Sequence, residues 1–134
     1  MVLEISSTLL ARLLNEAAQA PDREVCGLLF GTAERIEAIA ICENVAIDPR
    51  RHFEVDPAAL FRAIRAERSG GPALIGHWHS HPTGRAEPSA SDAESAMGDG
   101  ALWLIVTAQD ARLWRNDRAG VFQPVELVSV ARLQ

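Results

Sequence analysis

Histidines at alternate positions, followed shortly by a carboxylate, are the residues of this chain whose spacing first suggests chemistry. Three of its four histidines fall within five positions, at His77, His79 and His81, and Asp92 closes the same stretch. Successive side chains of a strand point to opposite faces. If this strand runs on to Pro82, then His77, His79 and His81 share one face, and Trp78 and Ser80 share the other. Two imidazoles one residue apart can grip a single ion, and Pro82 then stops the ladder because it has no N–H to donate. Asp92, returned from the next element, adds a carboxylate oxygen. Two histidine nitrogens and one carboxylate, with a fourth position open to water, suit a catalytic zinc ion (Zn2+) better than a structural one. Periodicity alone also makes His77 a ligand candidate.

The elements that must position these residues can be read from pattern. Residues 3–5 suit a short first strand, and Ser6 or Ser7 offers an N-cap. Leu9, Leu10, Leu13, Leu14 and Ala17 then follow at helical spacing, which predicts a helix over residues 8–20 that stops at Pro21. From Val25 a short apolar run reads as a buried strand, with Glu24 at its very start. Residues 36–42 form a second strand-like run, and residues 32–34 between them are short enough for a hairpin. After a loop over residues 43–55, Asp56 caps and Pro57 starts a second helix, with Leu60, Phe61 and Ile64 as its expected buried stripe. The histidine strand comes next, then a loop over residues 83–88 and a short helix capped by Ser89 that holds Asp92. Residues 102–106, 111–115 and 121–128 read as strands, with Pro124 marking an edge or a bulge. The expected class is α/β or α+β, a mixed sheet with helices packed on it, in one domain over residues 1–134.

Composition removes several function classes. The net charge of −5 and the lack of any basic run argue against nucleic-acid binding. No apolar stretch approaches the ~18 residues of a membrane span. The first residues, Met1 to Ile5, lack the charged and long apolar regions of a signal peptide, so a cytoplasmic protein is expected. Cys26 and Cys42 each lie in an apolar run and read as buried free thiols. All 13 basic residues are arginine, so the chain cannot be modified on a lysine; with the many alanines, this hints at a high-GC bacterial genome.

The spacing His79-x-His81-Pro82, six residues, Ser89, two residues, Asp92 resembles the JAMM motif of the MPN+ zinc metallopeptidase family, with no element missing. The run Glu24-Val25-Cys26-Gly27-Leu28-Leu29-Phe30-Gly31 resembles the family's upstream glutamate at a strand start. Asn44, and the stretch from Asp48-Pro49 through Phe53 to Asp56-Pro57, resembles the connection to the second helix in short bacterial members. The resemblance covers residues 24 to about 106. It implies the MPN/JAMM fold, a curved mixed sheet flanked by helices that broadly resembles the cytidine deaminase fold. It also implies roles. His79, His81 and Asp92 would bind Zn2+, which brings the pKa of a held water from ~15.7 to about 7. Glu24 would deprotonate that water and pass the proton to the leaving amine. The Ser89 hydroxyl would donate to the developing oxyanion. In the family the position of His77 is usually aromatic or apolar and binds no metal.

The reaction implied is hydrolysis of a peptide or isopeptide bond without a covalent intermediate. Members that act on ubiquitin carry insertions that grip it, and this chain has little room for them. The short bacterial form is associated with ubiquitin-like sulfur-carrier proteins, so the expected partner is such a protein with a C-terminal Gly-Gly, its tail adding a strand to a sheet edge beside the zinc. The lack of those insertions argues against ubiquitin itself as the substrate. Other readings remain beside this one. Ser89 and Asp92 have the spacing of an N-cap and its third helical residue, a structural role that can coexist with catalysis. Trp78 and Ser80 read as packing and a buried hydroxyl. A non-catalytic MPN scaffold is the alternative function. A nucleobase deaminase would need His-x-Glu and Pro-Cys-x-x-Cys, and the chain has neither.

Overall fold

The computed structural model describes residues 1–131. In chain order these form β1 (Val2–Ser6), α1 (Ser7–Gln19), β2 (Cys26–Gly31), β3 (Arg35–Cys42), α2 (Pro57–Arg68), β4 (Leu74–Ser80), α3 (Ala90–Ser95), β5 (Ala101–Val106), β6 (Ala111–Arg118) and β7 (Val121–Val130). The strands lie in the order β1-β3-β2-β4-β5-β6-β7, and β7 returns to pair with β1, so the mixed sheet closes into a barrel. β2–β3 and β5–β6–β7 are antiparallel runs, while β4–β5 and β1–β7 are parallel. Among the described residues no helix is long and apolar enough to cross a membrane.

Side-chain alternation builds the core. Leu3 and Ile5 of β1 are fully buried, and so are Leu29, Ile36, Trp78 and Leu104 from the strands around them. α1 starts where Ser6 accepts the Leu9 N–H at 3.1 Å, and it lays Leu13 and Ala17 onto that cluster. Gly27 is required by one contact. The Trp78 indole reaches across β2 from β4 and donates to the Ala40 carbonyl on β3 at 3.0 Å. A methyl group at Gly27 would collide with that carbonyl and lie 2.5 Å from the indole nitrogen.

Most sequence expectations survive with shifts of a residue or two, since helix ends fray and caps decide them. The hairpin at residues 32–34 is present, and Ser6 is the first cap. Pro124 lies where β7 has β6 beside it, before the pairing with β1 begins at Glu126. Cys26 and Cys42 face each other across β2 and β3 as free thiols, and burial pushes the Cys26 thiol up to about 12.

Three expectations need correction. The second helix has no fully buried stripe: Leu60 and Ile64 are half-buried and Phe61 is 66% exposed. α2 packs on the outside of the sheet, chiefly against β4, and turns Leu60 inward toward Leu28 and Leu74, so the next residue points to solvent. The sheet offers no free edge beside the histidines, because β4 has β2 on one side and β5 on the other. β4 also ends at Ser80 rather than continuing to Pro82, though the His81 N–H still donates to the Val106 carbonyl at 2.9 Å.

Gly27→Ala is expected to destabilise the protein by about 3 kcal/mol, the upper end of overpacking penalties in a tight interior. Urea denaturation checks this, and an unchanged midpoint would mean that the β2–Trp78 contact is not as close as described.

Candidate functional site

The end of β4 does two things at once. His79 and His81 point one way, and Ser80 between them points the other. The Ser80 hydroxyl accepts the Val25 N–H at 2.9 Å and the Ser80 N–H donates to the Val25 carbonyl at 2.9 Å. This ties the segment before β2 to the histidine strand and brings Glu24 beside the two imidazoles. The Glu24 N–H donates to the Pro49 carbonyl at 2.7 Å, and its own carbonyl accepts from Asn44 Nδ2 at 2.8 Å.

α3 supplies the carboxylate. Its N-cap is Ser89, whose Oγ accepts the Asp92 N–H at 3.0 Å while the Ser89 N–H donates to Asp92 Oδ2 at 2.9 Å. Such a reciprocal capping box locks both side chains, and it leaves the Ser89 hydroxyl proton uncommitted. The preceding loop is held by Trp114 Nε1, which donates to the Ala86 carbonyl at 3.1 Å.

These elements bring His79 Nε2 and His81 Nε2 to 3.0 Å from each other, and Asp92 Oδ2 to 3.2 and 3.1 Å from them. His81 Nδ1 lies 2.7 Å from the Arg85 carbonyl, which accepts only from an N–H. In neutral His81 the proton is therefore on Nδ1 and Nε2 presents a bare lone pair. His79, His81 and Asp92 are all buried. Converging lone pairs in such a place need a proton or a cation between them. Their spacing is close to the ~3.3 Å that tetrahedral bonds of ~2.0–2.1 Å impose on their ligands, so the residues fit a small divalent cation. Glu24 joins them: its carboxylate and one nitrogen of each imidazole all lie within 4.8 Å of one another, a set that could itself hold a cation, and among the described residues Glu24 Oε1 is buried without a hydrogen-bond partner.

The electrostatics follow from burial and pairing. Burial raises Glu24 to about 7, the Asp92 charge adds to this, and His81 opposes it. Burial would raise Asp92 too, but its bonds to His79 and His81 outweigh that and hold it well below the usual carboxylate range. Burial lowers His79. At His81 burial would lower the pKa, but the bond to Asp92 outweighs it and the pKa rises.

His77 stands apart from this cluster. It packs edge-on against Trp103 at 4.4 Å and tilted against Phe53 at 5.4 Å, and burial, aided by His79, lowers its pKa to about 3. It is a neutral ring in an aromatic wall. The expected packing roles of Trp78 and Ser80 agree with their burial and bonds. Sequence reasoning gave no role to Phe53, whose ring stacks on His79 at 4.1 Å, or to His52, whose Nδ1 lies 2.5 Å from Ser91 Oγ beside Asp92. Both lie in a loop without periodicity, where the family resemblance of the stretch through Phe53 to Asp56-Pro57 marks a connection to the second helix and assigns no role to either ring.

A closed mixed α/β sheet that presents two histidines and a carboxylate from a strand end and a helix cap defines a class of metal-site domain. The family described as prokaryotic homologs of the JAB domain matches residues 6–117, and the chain belongs to it. It is similar to a protein of Haloferax volcanii named desampylase, 35% identical over 115 residues that cover 84% of this chain and 82% of the relative. It is also similar to a Thermus thermophilus protein named as a probable TtuB-protein conjugate cleaving protease, 37% identical over 86 residues, 64% of this chain and 55% of that one. A JAB1/MPN domain protein of Archaeoglobus fulgidus superposes with a TM-score of 0.61 at 22% identity, covering 95% of this chain and 98% of that one, and so shares the fold. The MPN fold expected from the motif is the fold found.

Glu24 provides a test of this geometry in the metal-free protein. Its folded pKa of about 7 lies above the ordinary 4.5. Between those pH values the folded protein keeps a proton that the unfolded chain has released, so this group's contribution to stability is full below the lower value and is lost as pH rises through the upper one. Metal-free Glu24→Gln is expected to match wild type at acid pH and to exceed it above neutral pH by about 1–3 kcal/mol. Denaturation curves across that range check it, and a pH-independent difference would mean that the carboxylate is not buried as described.

Proposed function

We propose that this protein is a zinc-dependent isopeptidase that hydrolyses the bond following the C-terminal Gly-Gly of a ubiquitin-like or sulfur-carrier protein. The observation that carries the reading is the convergence of His79, His81 and Asp92, whose Nε2 and Oδ2 atoms lie 3.0–3.2 Å apart, beside a buried Glu24 carboxylate that hydrogen-bonds none of them. Three converging groups and an adjacent free carboxylate suit three metal ligands and a base that works through water.

A zinc ion held by His79, His81 and Asp92 would supply Lewis acidity, polarising the amide carbonyl and making a water more acidic. Glu24, with its pKa raised near neutrality by burial, takes the proton from the attacking water and delivers it to the leaving amine. The Ser89 hydroxyl accepts from the Asp92 N–H, so its own proton is free to donate to the carbonyl oxygen as negative charge develops there. Phe53 stacks on the His79 ring and Trp103 meets it edge-on at 5.9 Å, which keeps water off that side and fixes the ring's direction. The relative named for cleaving protein conjugates supports the bond class. Because β4 is an interior strand, the substrate tail lies across the site rather than extending β4.

Intact-mass spectrometry on a small sulfur-carrier protein extended beyond its Gly-Gly tests the reading. Cleavage directly after Gly-Gly is expected, with loss of activity on chelation and a loss of about 10²-fold or more in Glu24→Gln. An unchanged mass for the wild-type, zinc-loaded protein would remove this substrate class, and full activity of Glu24→Gln would remove the base.

A further inference from the structure

Asn44 makes four hydrogen bonds from one amide. Its Nδ2 donates to the carbonyl oxygens of Glu24 at 2.8 Å and His52 at 3.0 Å. Its Oδ1 accepts the backbone N–H groups of Ala46 and Glu54, both at 3.0 Å. A side-chain amide has two donor hydrogens and two acceptor lone pairs, so its capacity is filled by main chain. Three of these bonds close the loop over residues 44–54 on itself, and the fourth reaches Glu24.

The same loop grips Glu24 from the other side, since Pro49 accepts the Glu24 N–H. Its far end rests on the metal set through Phe53 on His79 and His52 beside Ser91. Glu24 Oε1, by contrast, has no partner of its own. A cleft of about 350 Å³ opens beside it, lined by Arg23, Cys42, Glu43 and Pro49 among others. Arg23, which pairs with Asp22 at 3.8 Å, brings a positive charge to that cleft, and no side-chain bond to Oε1 holds the Glu24 carboxylate away from it.

We propose that Asn44 is the positioning residue for Glu24, fixing its main chain so that the carboxylate faces His79, His81 and Asp92 instead of the cleft that holds Arg23. This rests on the reading of Glu24 as the base. All four bonds of the Asn44 amide go to main chain, so its proposed effect on the reaction passes through Glu24.

Two variants separate this role from general support of the loop. Asn44→Ala removes all four bonds. Asn44→Asp keeps the two acceptor bonds, from Ala46 and Glu54, and removes both donor bonds, to Glu24 and to His52. With the full chain loaded with zinc and assayed on the extended sulfur-carrier protein, both variants are expected to lose kcat by on the order of 10²-fold, the scale of a misplacement of about 1 Å. KM should stay within about threefold, because no contact with the substrate is removed. Zinc content, measured separately, should remain at wild-type stoichiometry in both. Wild-type kcat in Asn44→Asp, a loss confined to KM, loss of zinc, or failure of both variants to fold would each overturn the proposal. Glu24→Gln run alongside distinguishes the two levels. If it is inactive while Asn44→Asp is not impaired, only the positioning role fails; if it is fully active, the base reading fails first.

Discussion

Two imidazole nitrogens and a carboxylate point at one another in a buried place, and that convergence is repulsive unless positive charge lies among them. Much of the surrounding structure can be understood as holding the three groups in this costly arrangement. His79 cannot turn away, because Phe53 covers its face and Trp103 meets its edge. His81 is aimed by its Nδ1 contact with the Arg85 carbonyl. Asp92 is held by the Ser89 main chain even before it meets the histidines. A cation placed among them would turn this repulsion into binding energy.

The barrel supplies the rigidity. β4 is an interior strand, hydrogen-bonded on both sides, so the histidines stand on backbone that cannot fray. Its alternation divides the work of the strand end. His79 and His81 face the site, and Ser80 faces Val25 and so fixes the approach of Glu24. The glycine at position 27 lets Trp78 lie across β2 and tie three strands together beneath the site. Thus the groups most separated in sequence, Glu24 and Asp92, reach the same place through short local devices, a strand start and a helix cap.

Those local devices are why much of the site could be read from sequence. Strand parity places His79 with His81, and an N-cap followed three residues later by an acid places Ser89 with Asp92; both rules act over a few residues. The role of Glu24 came through family resemblance, since an acidic residue at a strand start is otherwise unremarked. Parity alone could not separate His77 from its neighbours. The separation comes from Trp103, whose edge His77 meets, and that contact is made by a strand distant in sequence. Phe61 shows the same limit. The pattern of α2 marks an apolar stripe, but how much of it has something to pack on depends on where the helix sits on the barrel, and Phe61 is left facing solvent. The loop over residues 44–54 was least legible. It has no periodicity, and it is ordered by the Asn44 amide bonded to main chain on both sides together with main-chain bonds such as Val45 N–H to the Glu54 carbonyl at 2.9 Å.

An MPN domain that served only as a scaffold would need the barrel but not the charge arrangement at its mouth. The most direct test is to titrate zinc into the metal-free wild-type protein and into Asp92→Asn and Glu24→Gln. The account predicts one zinc per wild-type chain. Binding should be lost or greatly weakened in Asp92→Asn and kept in Glu24→Gln. Retention of zinc by Asp92→Asn with loss in Glu24→Gln would make Glu24 the ligand and contradict the division of roles, and absence of binding in the wild type would contradict the site itself.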